Sequence, residues 1–196
     1  MQLPAMNVGT APAVASEVAK VVVTDADGLV LLVKERGALH ESDGPIDRTD
    51  PASWIKRPGW GLPGGKVEGT LGQMREGILE QLRRQGIGLE RFVQEHARLG
   101  KQFPDLEHVV LTCIKEVLEE AGVFAVPTDI RLWQCSNQEV VWLVRATPLG
   151  RGPYGSQDVH IERQAWFPRD RLPETGMYLR ARDMLRVALM RPERMT

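Results

Sequence analysis

Two stretches decide how this chain is read: "WGLPGGKVEG", Trp60 to Gly69, and "IKEVLEEAGV", Ile114 to Val123. In the first, two adjacent glycines, a lysine and a glutamate follow a short apolar run. Gly64 and Gly65 allow backbone conformations that other residues resist, and let main chain approach an ion or a phosphate closely. A plain tight turn between strands is their other use. In the second stretch Glu116, Glu119 and Glu120 stand at i, i+3 and i+4, which on a helix puts them within roughly 100° of one another. Val110, Ile114, Val117 and Ala121 gather on a separate stripe, so one flank can be buried while another concentrates negative charge. Such a concentration is unfavourable unless cations are recruited. Hard divalent cations suit it, since Mg²⁺ takes a few carboxylates together with substrate phosphates. Taken alone, the helix also reads as a solvated acidic face on which Lys115 and Glu119 form an i, i+4 pair.

Outward from these stretches, residues 1–16 are rich in Ala and Pro and read as a flexible N-terminal arm, and residues 17–196 as one mixed α/β domain. "VAKVVVTDADGLVLLVKE" (Val18 to Glu35) reads as two strands turning at Asp27-Gly28. The aperiodic segment Arg36 to Gly59 reads as a long loop. Leu71, Met74, Ile78 and Leu82, then Leu89, Phe92, Val93 and His96, repeat at helical spacing on either side of "QGIG". They predict a two-helix hairpin at about 71–99. Asp105 is placed to cap a further helix over about 106–121, which Gly122 should stop. "IRLWQ", "EVVWLVRATP" and "RQAWF" read as later strands. Met177, Ala181, Met184, Leu185 and Ala188 mark an amphipathic C-terminal helix.

A length of 196 residues suffices for one domain with a real core. The net charge of −1 gives no general reason to expect nucleic acid or an anionic membrane as partner. No apolar run approaches the roughly 18–20 residues of a spanning helix. The N-terminus lacks a basic start and a continuous apolar segment, and Cys113 and Cys135 make no CxxC pair. The expected location is therefore the reducing cytoplasm. A phosphate-binding GxxxxGK[ST] loop would need Gly at 60 and Ser or Thr at 67, where Trp60 and Val67 stand. GxGxxG and HExxH are absent, and "YGSQD" around Ser156 lacks the second glycine of a GxSxG elbow.

The two opening stretches resemble the Nudix hydrolase family. Its signature box reads G, five residues, E, seven residues, R-E, an aliphatic, any residue, E-E, any residue, G, an aliphatic. The right half fits from Glu107 through "HVVLTCI" to Lys115-Glu116, Val117, Leu118, Glu119-Glu120, Ala121, Gly122 and Val123. The left half resembles Gly65 with its "KVEG" and the "WGLPG" lead-in. There are two departures. Lys115 stands where the family has arginine, keeping the charge but losing the planar fork. Leu71 stands where the box glutamate should follow Gly65, and the matching glutamate is Glu107, so a helical insertion over about 70–105 splits the box.

The resemblance implies an α/β/α sandwich with a mixed sheet. It implies metal-dependent hydrolysis of a diphosphate linkage in a nucleoside diphosphate or triphosphate derivative, with Mg²⁺ or Mn²⁺ as cofactor. Carried over by position, Glu116, Glu119 and Glu120 are the catalytic metal ligands, joined by the Gly64 carbonyl. Gly65, Glu107 and Lys115 would organise the turn and the helix. Nominees for the general base are Glu116 and Glu120 on the helix and Glu139 and Glu162 beyond it. The alternative function is a Nudix-like module that senses a nucleotide without turnover, motivated by the split box and Lys115. An enzyme acting on RNA 5′ ends would need a basic channel. The apolar stripe of the insertion could pack on its own domain, close over a substrate, or form a homodimer. Trp54, Trp60 and Trp142 could stack on a base, and the C-terminal arginines, Arg180 among them, could form a solvated face or meet phosphates.

Overall fold

The computed structural model describes residues 16–39, 54–136, 138–152 and 155–190. The expected N-terminal arm lies outside them except for Ser16, which opens the first strand, and so does most of the long loop after Leu39.

β1 (Ser16–Val23) and β2 (Val30–Glu35) are the valine- and leucine-rich runs. The Asp25 carboxylate turns the chain between them by accepting the N–H groups of Asp27 and Leu29, at 3.1 and 2.8 Å. Short strands β3 (Ala38–Leu39), β4 (Trp54–Lys56) and β5 (Gly59–Gly61) precede three helices. These are α1 (Leu71–Arg84), α2 (Leu89–Gln102) and α3 (Glu107–Ala121). Long strands β6 (Val123–Cys135) and β7 (Glu139–Arg151), then β8 (Ile161–Phe167) and α4 (Leu179–Leu189), complete the order. One sheet runs β1-β7-β6, with β1 and β7 parallel and β6 antiparallel to β7; a second runs β5-β2-β8 and is antiparallel, and β3 and β4 form a separate antiparallel pair.

The strands are covered on both faces, which explains their continuous apolar sequence. Ala19, Val21 and Val23 of β1, with Leu31 and Val33 of β2, pack on Val109, Cys113, Val117 and Ala121 of α3. The alternate residues Val22, Val30 and Leu32 pack on Ala181, Met184, Leu185 and Ala188 of α4. The architecture is the expected α/β/α sandwich with a mixed sheet.

α3 has a second apolar face. Val110, Leu111, Ile114 and Leu118 meet Met74, Ile78 and Leu82 of α1 and Phe92 and Leu99 of α2. The stripe of the hairpin is thus buried within its own chain. Val93, expected on it, is 61% exposed, because the buried face of α2 follows Phe92 and Leu99. α1 starts with a reciprocal capping box between Thr70 and Gln73. The start of α3 differs from expectation. Leu106, not Asp105, is the N-cap, with no side-chain cap; Leu106 is half-buried against the core under the sheet, so packing sets the helix start. Gly122 ends α3 as expected, at φ +64° with its N–H on the Leu118 carbonyl. Among the described residues no helix is long and apolar enough to cross a membrane.

Glu107, in the first turn of α3, receives Arg75 of α1 and, at 3.0 Å, His96 of α2. The Arg75 hydrogen bond holds its carboxyl below the usual value, against a smaller opposing effect of burial. A depressed folded value makes this tie present above the unfolded carboxylate value and lost as pH falls through the folded one. Glu107→Gln should therefore lower stability at pH 7 by up to about 1 kcal/mol, or ~2–4 °C in Tm. Thermal melts of variant and parent should converge as pH falls below the lowered folded value.

Candidate functional site

The glycine turn runs beside β1 as an extra segment of the sheet. Ala19 N–H donates to the Gly65 carbonyl at 2.9 Å, Val21 N–H to Pro63 at 2.9 Å, and Val67 N–H to Glu17 at 2.8 Å. This proximity explains both glycines. Gly64 has φ +137°, and a Cβ there would collide with the Ala19 carbonyl; a Cβ on Gly65 would lie 2.6 Å from the Glu116 carboxyl.

Gly64 N–H donates to Glu120 Oε2 at 3.0 Å, so the turn and the acidic helix meet although they are far apart in sequence. On its other side the Gly64 carbonyl accepts from Lys20 Nζ at 2.7 Å. Glu120 is 9% exposed. Burial pushes its carboxyl up to about 8, opposed first by the Lys20 ammonium and then by the Gly64 N–H, and reinforced by Glu116 and Asp158. Burial also raises Glu116, with Lys115 opposing. Lys115 Nζ lies 3.1 Å from Glu116 Oε1 and 3.2 Å from Glu119 Oε2. Burial alone would lower Lys115, but the two carboxylates outweigh it and raise it. The Glu119 carbonyl, near the end of α3, accepts Gln157 N–H at 2.8 Å and the Ser156 hydroxyl at 3.4 Å. That anchors the segment that carries Asp158 beside the helix.

Glu116, Glu119, Glu120, Lys115, Gly64 and Gly65 thus come together, whereas Glu107 belongs to the contact between α3 and the hairpin. Glu139 is engaged by Arg180 of α4 at 2.7 Å, and Glu162 by Lys34 at 2.8 Å. Neither joins the carboxylates of α3. Sequence reasoning missed Lys20 and Asp158. Asp158 had no local signal, but Lys20 is a lysine inside a valine run on a strand buried on both faces, which is a readable anomaly.

A cleft of about 290 Å³ opens on the α4 side, lined by Lys20, Glu35, Lys56, Tyr178, Arg180 and Met184 among others. Lys56 pairs with Glu35 and lies 4.9 Å from the Tyr178 ring centroid. Among the described residues, Tyr178 is the aromatic residue that lines this cleft. Trp60 packs edge-on against Phe167, and the Trp142 indole N–H donates to Glu17. The side chain of Trp54 lies outside the described residues.

Among the described residues no group of three or more Asp, Glu, His or Cys side chains is gathered closely enough to enclose a metal ion. The donor chemistry nevertheless fits a hard dication. All donors are oxygens, and Glu116 and Glu120 are buried carboxyls whose ionised forms lack full compensation. In this conformation Lys20 and Lys115 supply the counter-charge.

No protein-family model matches the sequence, and no curated protein matches it significantly. Solved structures do. A NUDIX hydrolase from Nitrosomonas europaea aligns over 87% of this chain and 68% of its own, at 16% identity and a TM-score of 0.51. A second NUDIX hydrolase structure from that organism aligns over 88% and 86%, at 18% identity and a TM-score of 0.48. An ADP-ribose pyrophosphatase from Streptococcus suis aligns over 90% and 93%, at 16% identity and a TM-score of 0.47. The first likeness shows the fold: the chain is folded as Nudix hydrolases are.

Two predictions test the site as built. Gly64→Ala should destabilise by about 2 kcal/mol or more, from strain and collision. Gly77→Ala, in the interior of α1 with open space around it, should stabilise by about 0.5–1 kcal/mol. Thermal melts of the two variants should shift in opposite directions. Glu120 binds a proton on folding between its unfolded value of about 4.3 and its folded value of about 8. The metal-free protein therefore loses stability as pH rises through that window. In EDTA, Glu120→Gln should match the parent near pH 4 and exceed its Tm at pH 9 by ~2–4 °C for each kcal/mol of charge burial removed.

Proposed function

We propose that this chain, folded as Nudix hydrolases are, is a member of that family and hydrolyses a diphosphate linkage in a nucleoside diphosphate or triphosphate derivative, with Mg²⁺ or Mn²⁺. The observation that carries this reading is the 3.0 Å hydrogen bond from Gly64 N–H to Glu120. It unites the two halves of the split box, as a single site would require. On this reading residues 17–196 are one Nudix domain and residues of about 70–105 are an insertion within its box.

Glu116, Glu119, Glu120 and the Gly64 carbonyl would hold the cation, with Lys115 and Gly65 supporting them. When bound, the cation would offset diphosphate charge and lower the pKa of a water. The cleft beside Lys20 supplies the rest of a nucleotide's needs: Lys56, Arg180 and Lys20 for anionic oxygens, and the Tyr178 ring for a planar group. Lys56 and Arg180 already face Glu35 and Glu139, so an anionic substrate would take over cations that are in place. With Glu139 and Glu162 engaged elsewhere, the base is drawn from Glu116, Glu120 and Asp158, the groups beside the Gly64 turn. Cys113 and Cys135 are both free thiols, in keeping with a cytoplasmic setting.

A second reading, a nucleotide-sensing module without turnover, is favoured by one observation: Lys20 and Lys115 already balance much of the charge that a dication would. Release of phosphate or monophosphate from a panel of nucleoside diphosphate and triphosphate derivatives decides between them. With Mg²⁺ or Mn²⁺, the parent should turn over at least one member. Glu119→Gln/Glu120→Gln should reduce kcat by about 10²-fold or more, and Asp158→Asn should reduce kcat with little change in KM if Asp158 is the base. Tight binding of a nucleotide without turnover would establish the sensor. Turnover that survives the double substitution would move the site elsewhere.

A further inference from the structure

We propose that Lys20 is an internal counter-cation that competes with a divalent cation for the Gly64 carbonyl. The inference rests on the metal-dependent reading above and concerns how that site is loaded.

Lys20 is half-buried in a strand whose other residues from Ala19 to Val23 are each at most 1% exposed, and a lysine in such a strand is kept where polar groups hold its ammonium. Lys20 Nζ donates to the Gly64 carbonyl at 2.7 Å, the backbone oxygen that the proposed site offers a cation. The N–H of the same glycine binds Glu120 Oε2 at 3.0 Å, and the charge of Lys20 favours the ionised forms of Glu116 and Glu120. An ammonium and a dication cannot share that carbonyl and that charge, because their mutual repulsion at close range is large. One must leave.

Lys20 has somewhere to go. It sits on the α4 side of β1 with Val22, and its side chain lines the cleft with Lys56, Tyr178 and Arg180. Its flexible four-carbon stem can swing the ammonium from the Gly64 carbonyl into that cleft. Arrival of the dication would therefore present a third positive charge to an anionic ligand there. Binding of cation and anion would be mutually favourable, and the metal-free site would remain neutralised rather than carrying a bare acidic cluster.

The test is a Mn²⁺ titration of the full chain, followed by the electron paramagnetic resonance signal of free Mn²⁺. Lys20→Met should bind Mn²⁺ about tenfold or more tightly than the parent. Lys20→Gln keeps an N–H donor for the Gly64 carbonyl and so preserves the turn should the methionine variant fold poorly; it should tighten binding likewise. Lys34→Met, which removes a positive charge beside Glu162, should leave Mn²⁺ affinity unchanged. Equal or weaker binding by the Lys20 variants, where the parent binds measurably, overturns the inference and leaves the proposed hydrolase standing. Absence of Mn²⁺ binding in parent and variants alike overturns the metal-dependent reading and the inference with it.

Discussion

The Gly64 residue is the constraint on which the site depends. It lies in a backbone conformation that side chains rarely adopt, pressed against β1 so closely that no Cβ fits. From there it gives its N–H to Glu120 and its carbonyl to Lys20. One of these partners comes from α3 on one face of the sandwich, and the other lies on the face covered by α4. A single residue without a side chain therefore ties the two layers together through the sheet. Gly65 extends the same logic, since its missing side chain is the space that the Glu116 carboxyl fills.

The electrostatics of the site follow from how α3 is buried. The helix is packed on the sheet by one face and on the α1–α2 hairpin by another. What remains at least partly open are Glu107 and His108 in its first turn and the sector of Lys115, Glu116 and Glu119. Carboxylates confined to such a sector, with Glu120 behind them, have little water to solvate them. Burial therefore leads the shifts of Glu116 and Glu120, and hydrogen bonds and lysines only oppose it. Lys115 faces Glu116 and Glu119, and Lys20 acts on Glu116 and Glu120.

Much of this was legible in the sequence because it is written in local patterns. The spacing of Glu116, Glu119 and Glu120, the glycine pair and the stop at Gly122 each depend on neighbours within a few residues. So does the stripe of Ala181, Met184, Leu185 and Ala188 on α4; Met177, expected on it, is buried too but precedes the helix and pairs with Trp60. What escaped depends on contacts between distant segments. Asp105 looked like a cap, but the packing of Leu106 set the start of the helix. Val93 matched the helical period, but the hairpin's angle on α3 left it exposed. Lys20 and Asp158 reach the site only because β1 and the segment after β7 fold back on it, and Tyr178 reaches the cleft because α4 returns to the sheet.

An insertion such as the one proposed for α1 and α2 can split a box without scattering its parts. Loop-closure entropy grows only slowly with length, so a segment that enters at Leu71 and leaves near Glu107 costs little if it folds on itself and its ends return to one place. Both conditions hold. α1 and α2 bury Met74, Ile78, Leu82, Phe92 and Leu99 against the outer face of α3, and Glu107 binds Arg75 and His96 from the hairpin's two helices. Glu107, which the resemblance would have organising the turn, is occupied with holding the α1–α2 hairpin to the helix that follows it. Turn and helix are joined by the hydrogen bond from Gly64 to Glu120 and by the fit of Gly65 against Glu116. A buried carboxyl with a strongly raised pKa is a costly group to rely on, and Lys20 and the Gly64 N–H are the two groups that most offset that cost.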